Sequence, residues 1–536
     1  MVEEILNMTA LELAEAIRTQ KVTSEQAVRA VLGNIDEHEC ELHAYLSVWK
    51  GEALVKAREC DERIRKTYSN LEDGSGRNGT TAESGKIEEL PPLLGVPVAV
   101  KDNLVTEGHR TTCGSKMLAE YIPSFSATCV EKLQKSGAIL LGKTNMDEFG
   151  MGVSTETSYF GGTMHPLDPS RVPGGSSGGS AAAVRSGEAW AALGTDTGGS
   201  VRQPAAYCGL VGLRPTYGAV SRHGLVAFSS SMDTVAPLTR ATRDAAALFN
   251  IVTGADERDQ TSFDAPKIDL DEMERYELRG KKVGIPSQLV SDLSPEVQEA
   301  MNRARTWLAE EGAVVEEVDM PILEYAVAMY YILSSAEASS NLSRYDGIRY
   351  GYRASDATNV GELFTKTRSE GFGLEVKRRI LLGNYVLSSE HFEDCYRKAE
   401  KAREKLSMNL AEALTHYDLL LCPTSPMVAP KRGTVSEDPL TTYISDLCTV
   451  PASLAGIPAI SIPASWMDPK KKNDIAEGDA SMWPRLPVGL QLMGRRWGEQ
   501  EILGAARYIE KCSLGVNGRI SVTHRSAKKT EKEDLS

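Results

Sequence analysis

The chain has 536 residues, 41% hydrophobic and 25% charged, an ordinary globular composition with ample length for a large core. A formal net charge of −14 argues against tight unaided binding of a phosphate backbone, so any nucleic acid would be held by a partner. Nine cysteines, an odd number without C-x-x-C, read as reduced thiols; with no leader pattern and no apolar run near ~18 residues, no membrane contact is expected and the cytoplasm is the expected location.

Thr9-Ala10-Leu11-Glu12 is a capping-box pattern and predicts a helix with Leu11, Ala14 and Ile17 on one face. Thr23-Ser24-Glu25-Gln26 starts a second helix with Val28, Val31, Leu32 and Ile35 as its stripe, and the two are expected to pack as an antiparallel pair. Residues 66–90 are polar and rich in Gly, Ser and Asn, which reads as a surface insertion or mobile loop. LLGVPVAV (93–100), ending at Lys101, and AILLGKT (138–144) read as buried strands with a helix between them, the order of a parallel α/β unit. Between two Gly/Ser-rich loops, GGSSGGS (174–180) and GTDTGGS (194–200), the small residues of AAAVRSGEAWAAL predict a tightly packed helix or strand.

Later strands are expected at 281–286, 314–320, 417–423, 459–464 and 488–494, and helices across much of 294–311, 323–342, 370–416 and 498–512. Cys422, inside one of these strands, reads as buried filler rather than a nucleophile. Residues 468–481 read as a charged loop and 516–536 as a disordered tail. With no obvious linker, residues 1–515 read as a single domain, 66–90 and 468–481 being surface insertions and the catalytic core lying at about 95–240.

The Gly/Ser-rich loops admit three chemistries. A phosphate cradle is disfavoured because no G-K-[ST] follows either loop. Gly175-Ser176-Ser177-Gly178-Gly179 fits the G-x-S-x-G elbow with Ser177 attacking, but none of His223, His391, His416 and His524 lies in a loop motif that would aim an imidazole at a serine. The third chemistry uses a serine activated by a neutral lysine, and Lys101, at the end of an apolar strand, is open to desolvation. On position alone, a lysine reaching solvent from a strand end explains Lys101 better.

KDN (101–103), PGGSSGGSAAAV (173–184) and GTDTGGSVRQPAAYCGLVGLRPTYG (194–218), in that order, resemble the amidase signature family. The resemblance implies an α/β fold with a central mixed β-sheet flanked by helices on both faces. It implies a Ser-cisSer-Lys triad with Ser200 as nucleophile, Ser176 as bridging serine and Lys101 as base. Backbone N–H groups of Thr197, Gly198, Gly199 and Ser200 would form the oxyanion hole, the two glycines letting the chain turn so that successive donors face one point. Ser177 and Thr197 would hydrogen-bond around the triad, Ser177 beside the substrate. Asp196 and Arg202 are read as structural, tying the loops through charge-assisted bonds.

YYILSSAEASSNLSRYDGIRYG (330–351), EVKRRILLGNYVLSS (375–389), DPLTTYISDLCTVPASLAGIPAISIPA (438–464) and LPVGLQLMG (486–494) are similar to the branch of the family that supplies the glutaminase component of tRNA-dependent amidotransferases. That likeness implies glutamine as substrate: Arg379 (with Arg378 as rival) clamps the α-carboxylate, Asp446 accepts from the α-ammonium, and Tyr330 or Tyr331 adds a hydroxyl contact. It implies no cofactor in this chain, ATP and Mg²⁺ being used at a partner B subunit that binds the misacylated tRNA, and a small C subunit completing a heterotrimer. The alternative is a free-standing amidase acting on other small carboxamides. The stretch Thr163-Met164-His165-Pro166-Leu167-Asp168 departs from the family's Asn-Pro-Trp pattern and puts the contacts of that stretch in doubt.

Overall fold

The computed structural model describes residues 2–74, 90–434, 439–466, 486–514, 520 and 522. Its centre is an eleven-stranded sheet: β1 Tyr45–Val48, β2 Pro97–Lys101, β3 Ile139–Thr144, β4 Ala191–Asp196, β5 Val211–Arg214, β6 Thr234–Thr239, β7 Lys282–Pro286, β8 Val314–Val318, β9 Leu419–Pro423, β10 Ala459–Trp466 and β11 Pro487–Met493. The strand order is β1-β3-β2-β4-β6-β5-β10-β11-β9-β7-β8. β2 runs parallel to both β3 and β4, whereas β4–β6 and β10–β11 are antiparallel, so the sheet is mixed as expected. Every residue of β2, β3 and β4 is buried, as befits strands covered by helices on both faces.

The two capped helices form at Ala10–Arg18 and Ser24–Leu42, each with a reciprocal capping box. They do not make the expected pair. Helix Ser24–Leu42 packs instead on a long helix, Lys50–Gly74. That helix runs through the first part of the presumed loop 66–90, held on its surface by pairs such as Lys66–Glu62; residues 75–89 lie outside the described residues. The 468–481 loop lies wholly outside them. Of the tail, only Ile520 and Val522 are described. Both are buried, and the Val522 N–H donates to Asn7 Oδ1 at 2.9 Å.

The small-residue stretch supplies both elements: the helix Gly178–Ser186 and then β4. β5 and β6 were not foreseen. β5 has four residues, and β6 carries Pro237, a residue that argues against a strand unless its missing N–H faces away from a ladder bond. Across 370–416 the expected helices are Leu374–Leu387 and Lys398–His416, with a short π-helical turn, Phe392–Arg397, leading into the second.

Two apolar clusters fill the molecule. One packs helices such as Ala10–Arg18, Ser24–Leu42 and Thr242–Val252 against the sheet around β2–β4. The other unites helices Ala326–Asn341, Leu374–Leu387 and Lys398–His416 with residues 113–151 and 448–459. Among the described residues no helix is long and apolar enough to cross a membrane.

The helix Gly178–Ser186 sits so close to β3 and its flanks that a Cβ at Gly179 would fall 2.5 Å from the carbonyl oxygens of Ala44 and Asn145. Alanine should favour a helix by about 1 kcal/mol over glycine. Here the backbone approach outweighs propensity, and Gly179→Ala should destabilise the protein by about 1–3 kcal/mol. A thermal melt checks this: a lowered midpoint is expected, and a raised one would show that the helix can withdraw from the strand.

Candidate active site

Parallel pairing brings the C-terminal ends of β2 and β4 to the same edge of the sheet, so Lys101 and Asp196 end neighbouring strands. Lys101 is fully buried, not reaching solvent. Its Nζ lies 2.7 Å from Ser176 Oγ, 2.8 Å from Ser177 Oγ and 3.0 Å from Thr195 Oγ1. Burial brings its ammonium down to about 7, against the opposing pull of Asp147, Asp196 and Asp233. Near neutral pH a substantial share is therefore a free amine, able to accept a proton from Ser176.

The Gly175–Ser176 peptide bond is cis. The Ser177 N–H donates to the Ser200 carbonyl at 3.0 Å, which ties loop 174–180 to loop 194–200. Exposure rises along the series: 0% at Lys101, 1% at Ser176 and 7% at Ser200, so an incoming molecule meets Ser200 first. Ser177 is wholly buried, and its hydroxyl lies against Lys101 and Thr195 rather than a substrate space.

Loop 197–200 is shaped from behind. Arg202 grips Asp196 with two bonds, Nε to Oδ2 at 3.0 Å and Nη2 to Oδ1 at 2.8 Å, and Arg214 adds a third at 3.0 Å. Burial alone would raise the Asp196 carboxyl; the two guanidiniums hold it well below the usual carboxylate range. Its Oδ2 also accepts the N–H of Val201 and of Arg202, which fixes the turn. Thr197 Oγ1 donates to Asp233 Oδ1 at 2.6 Å. Gly199 has φ +138° and packs so tightly on Thr449 that a Cβ would lie 2.3 Å from its hydroxyl oxygen. No described acceptor takes the backbone N–H of Gly198, Gly199 or Ser200, so these donors are available to a developing oxyanion.

The remaining predicted residues gather beside this loop. Tyr330 abuts it: a Cβ at Gly198 would fall 2.6 Å from the Tyr330 hydroxyl oxygen. Tyr331 donates to Asp446 Oδ2 at 3.1 Å, and the Arg379 guanidinium lies 4.2 Å from the Tyr331 ring centroid. Arg379 Nε donates to Glu375 at 2.7 Å, while its buried Nη1 has no described partner. Burial pushes the Asp446 carboxyl up to about 7, with Arg379 pulling the other way. Arg378 has a side chain 58% exposed and paired with Glu375, so the buried cation is Arg379. A cavity of about 510 Å³ is lined by Tyr331, Arg379, Arg378, Glu148, Tyr443 and Arg432 among others.

Among the described residues, no histidine joins the serines. His223 stacks near Phe125, His391 near Tyr385, and His416 touches Thr415; His524 lies outside the described residues. Cys422 is buried filler, its thiol pushed up to about 12 by burial. In the departing stretch, His165 is buried and pushed down to about 4 by desolvation. Its Nδ1 accepts the N–H of Leu167 and Asp168, both at 3.1 Å, and its Nε2 bonds the Tyr207 carbonyl at 2.9 Å. The neutral ring thus closes the turn much as an Asn side chain does.

Sequence reasoning missed Thr195, Asp233 and Asp147. Asp147 accepts from Ser154, Thr155 and Thr157, while its own N–H donates to the Ser176 carbonyl at 3.3 Å. The one available signal was polar density directly after β3, in NMDEFGMG (145–152).

A family model described as Amidase matches residues 78–503. The chain is 44% identical over 512 residues to the A subunit of the glutamyl-tRNA(Gln) amidotransferase of Lachnoclostridium phytofermentans, covering 95% of this chain and 98% of that one. It is 45% identical over 509 residues to the corresponding protein of Moorella thermoacetica, covering 95% and 97%. Among solved structures, the A subunit of the Thermotoga maritima glutamyl-tRNA(Gln) amidotransferase matches at 39% identity and a TM-score of 0.73, over 97% of this chain and 99% of that one. The peptide amidase of Stenotrophomonas maltophilia matches at 26% and 0.74, over 96% and 98%.

If the Lys101 amine is the base behind Ser200, labelling of Ser200 by a sulfonyl fluoride should need the deprotonated lysine. The rate should rise through a midpoint near 7. One pH unit below the midpoint it should be about tenfold under the plateau. Intact mass spectrometry across the pH range measures it, and a flat profile would remove Lys101 from that role.

Proposed function

The chain belongs to the amidase family, and from that premise we propose that it is the glutaminase subunit of a tRNA-dependent amidotransferase. The observation that carries this reading is the buried Arg379–Tyr331–Asp446 cluster beside the Ser200 loop. An apolar amide has no use for a buried cation and a buried carboxylate side by side. Glutamine does: its α-carboxylate can take the unpartnered Arg379 Nη1 and its α-ammonium can face Asp446. The relatives from glutamyl-tRNA(Gln) amidotransferases support the same reading.

Ser200 Oγ attacks the side-chain carboxamide carbon. The charge that develops on oxygen is met by the free N–H groups of loop 198–200, which cost no reorganisation because Asp196 and Thr449 already hold the turn. The Ser200 proton passes to Ser176, and Lys101 takes the proton that Ser176 releases. The relay then returns a proton to the leaving nitrogen, and ammonia departs. Water, deprotonated by the same relay, attacks the acyl ester; glutamate leaves and Ser200 is restored. Ammonia passes to a B subunit that holds the misacylated tRNA and activates its carboxyl group with ATP and Mg²⁺, converting Glu-tRNA(Gln), Asp-tRNA(Asn) or both; a C subunit completes the heterotrimer. The acidic charge of this chain suits one that leaves tRNA to a partner.

Replacing Arg379 by Ala should raise KM for glutamine by about 10- to 100-fold, the cost of a lost charged hydrogen bond. Turnover of a simple aliphatic amide should change far less; equal loss on both substrates would speak for a free-standing amidase. In the assembled complex, Ser200→Ala should abolish glutamine-dependent tRNA amidation while added ammonium still supports it. Loss of both would overturn the division of labour.

A further inference from the structure

We propose that Glu148 is a positioning residue that locks the helix bearing Arg379 onto the seryl loops, so that glutamine is held in register with Ser200. The inference rests on the glutaminase reading above. Glu148 lies next to Asp147, whose N–H donates to the Ser176 carbonyl and whose carboxylate accepts from Ser154, Thr155 and Thr157. One turn thus faces both ways. The Asp147 backbone holds the loop of the reacting serines, and the Glu148 side chain points to the helix Leu374–Leu387.

The Glu148 side chain is buried and spans two segments. Its Oε1 accepts from Ser115 Oγ at 2.5 Å, and its Oε2 accepts the N–H of Gly373 at 2.8 Å. Gly373 is the N-cap of the helix that carries Glu375 and Arg379, and its own side chain cannot cap. Glu148 instead satisfies the N-cap residue's own N–H from another part of the chain, the bond an N3 side chain makes in a capping box, and a negative group there also suits the helix dipole. The fit is close: a Cβ at Gly373 would lie 2.3 Å from Glu148 Oε2. Ser115 Oγ reaches on to the Gly371 carbonyl at 3.4 Å, and Phe149 packs on Phe372 with ring centroids 5.8 Å apart, so the contact has a polar centre and an apolar flank. A further bond of the turn, Glu148 N–H to Thr157 Oγ1 at 3.1 Å, returns to the Asp147 side.

Glu148 also lines the cavity that holds Arg379 and Tyr331. Arg379, in the second turn of the helix, depends on where that helix starts. Removing the tether leaves Lys101, Ser176 and Ser200 untouched but frees the group that binds the α-carboxylate. Burial pushes the Glu148 carboxyl up to about 7, so its environment accepts a neutral side chain and glutamine is a fair isostere there.

The test is steady-state glutaminase kinetics of the complex with its partner subunits, paired with sulfonyl fluoride labelling of Ser200. Glu148→Ala should raise KM for glutamine by roughly tenfold or more, as for a misplaced binding group, with a smaller change in kcat. The labelling rate should stay within about twofold of wild type, since that reagent needs no carboxylate clamp. Glu148→Gln, which keeps an acceptor for Gly373 N–H, should restore KM to within about threefold. Should Glu148→Ala fold poorly, Gly373→Ala, which displaces the carboxylate, should give the same rise in KM. An unchanged KM in Glu148→Ala, or a KM in Glu148→Gln as high as in Glu148→Ala, would overturn the inference, as would equal losses in labelling and glutamine turnover. Absence of glutamine turnover by the wild-type complex would overturn the function itself, and the inference with it.

Discussion

The arrangement depends on one buried amine. An ammonium at the end of β2, cut off from water, is costly, and the protein offsets that cost in two ways. It lowers the lysine to about 7 by burial, so that the neutral form is within reach. It also surrounds Nζ with three hydroxyls, those of Ser176, Ser177 and Thr195, which can donate to the amine or accept from the ammonium. Hydroxyl neighbours suit the proposed role, in which the amine changes protonation state during a cycle. A carboxylate at the same distance would pin the lysine in its charged form.

Asp147, Asp196 and Asp233 all pull Lys101 back toward its charged form, and all three are occupied elsewhere. Asp196 is bound by Arg202 and Arg214, Asp233 accepts from Thr197, Phe228 and Ser229, and Asp147 is wrapped by 154–157. The hydrogen bonds that shape the loops therefore also disperse the charge that would otherwise hold Lys101 in its charged form, unfit for the proposed role of base. A buried ion pair contributes little to stability by itself, so Arg202–Asp196–Arg214 is better understood through the turn it holds.

The strand–helix–strand unit, its first strand starting at Pro97 rather than 93 because 92–95 turn, and the capped N-terminal helices were legible because apolar runs and capping residues are local signals. The short β5 and the proline-bearing β6 were not, since their strand state comes from neighbours across the sheet. The G-x-S-x-G pattern drew attention to Ser177, which turns out to support the lysine from behind. Lys101 itself could not be told from a solvent-reaching lysine until burial on both faces of β2 was known. Choosing Arg379 over Arg378 likewise needed the helix orientation, because adjacent residues on a helix differ by about 100° and only one can face Tyr331. Glu148 stayed hidden because its partner Gly373 is 225 residues away in the chain, and Asp147 because its link to the serine loop runs through backbone groups that carry no residue signature.

The two apolar clusters divide the work. The first packs against the strands that present Lys101 and the serine loops, while the second contains Tyr330 and Tyr331 and seats the helix of Arg379. A reaction of this kind tolerates little slack between the attacking oxygen and the carboxamide carbon, as an error of about 1 Å can cost roughly 100-fold in rate. Packing alone keeps each half rigid, but it does not by itself set one half against the other. Directional hydrogen bonds across the seam can. The seam is bridged where Tyr330 meets Gly198, where Arg202 donates to the Thr449 carbonyl, and at the turn 147–150, which enters one cluster through Phe149 and holds the Ser176 carbonyl through the Asp147 N–H. The proposed site thus lies where the halves meet, where one set of bonds can fix both the proposed nucleophile and the group proposed to aim its substrate.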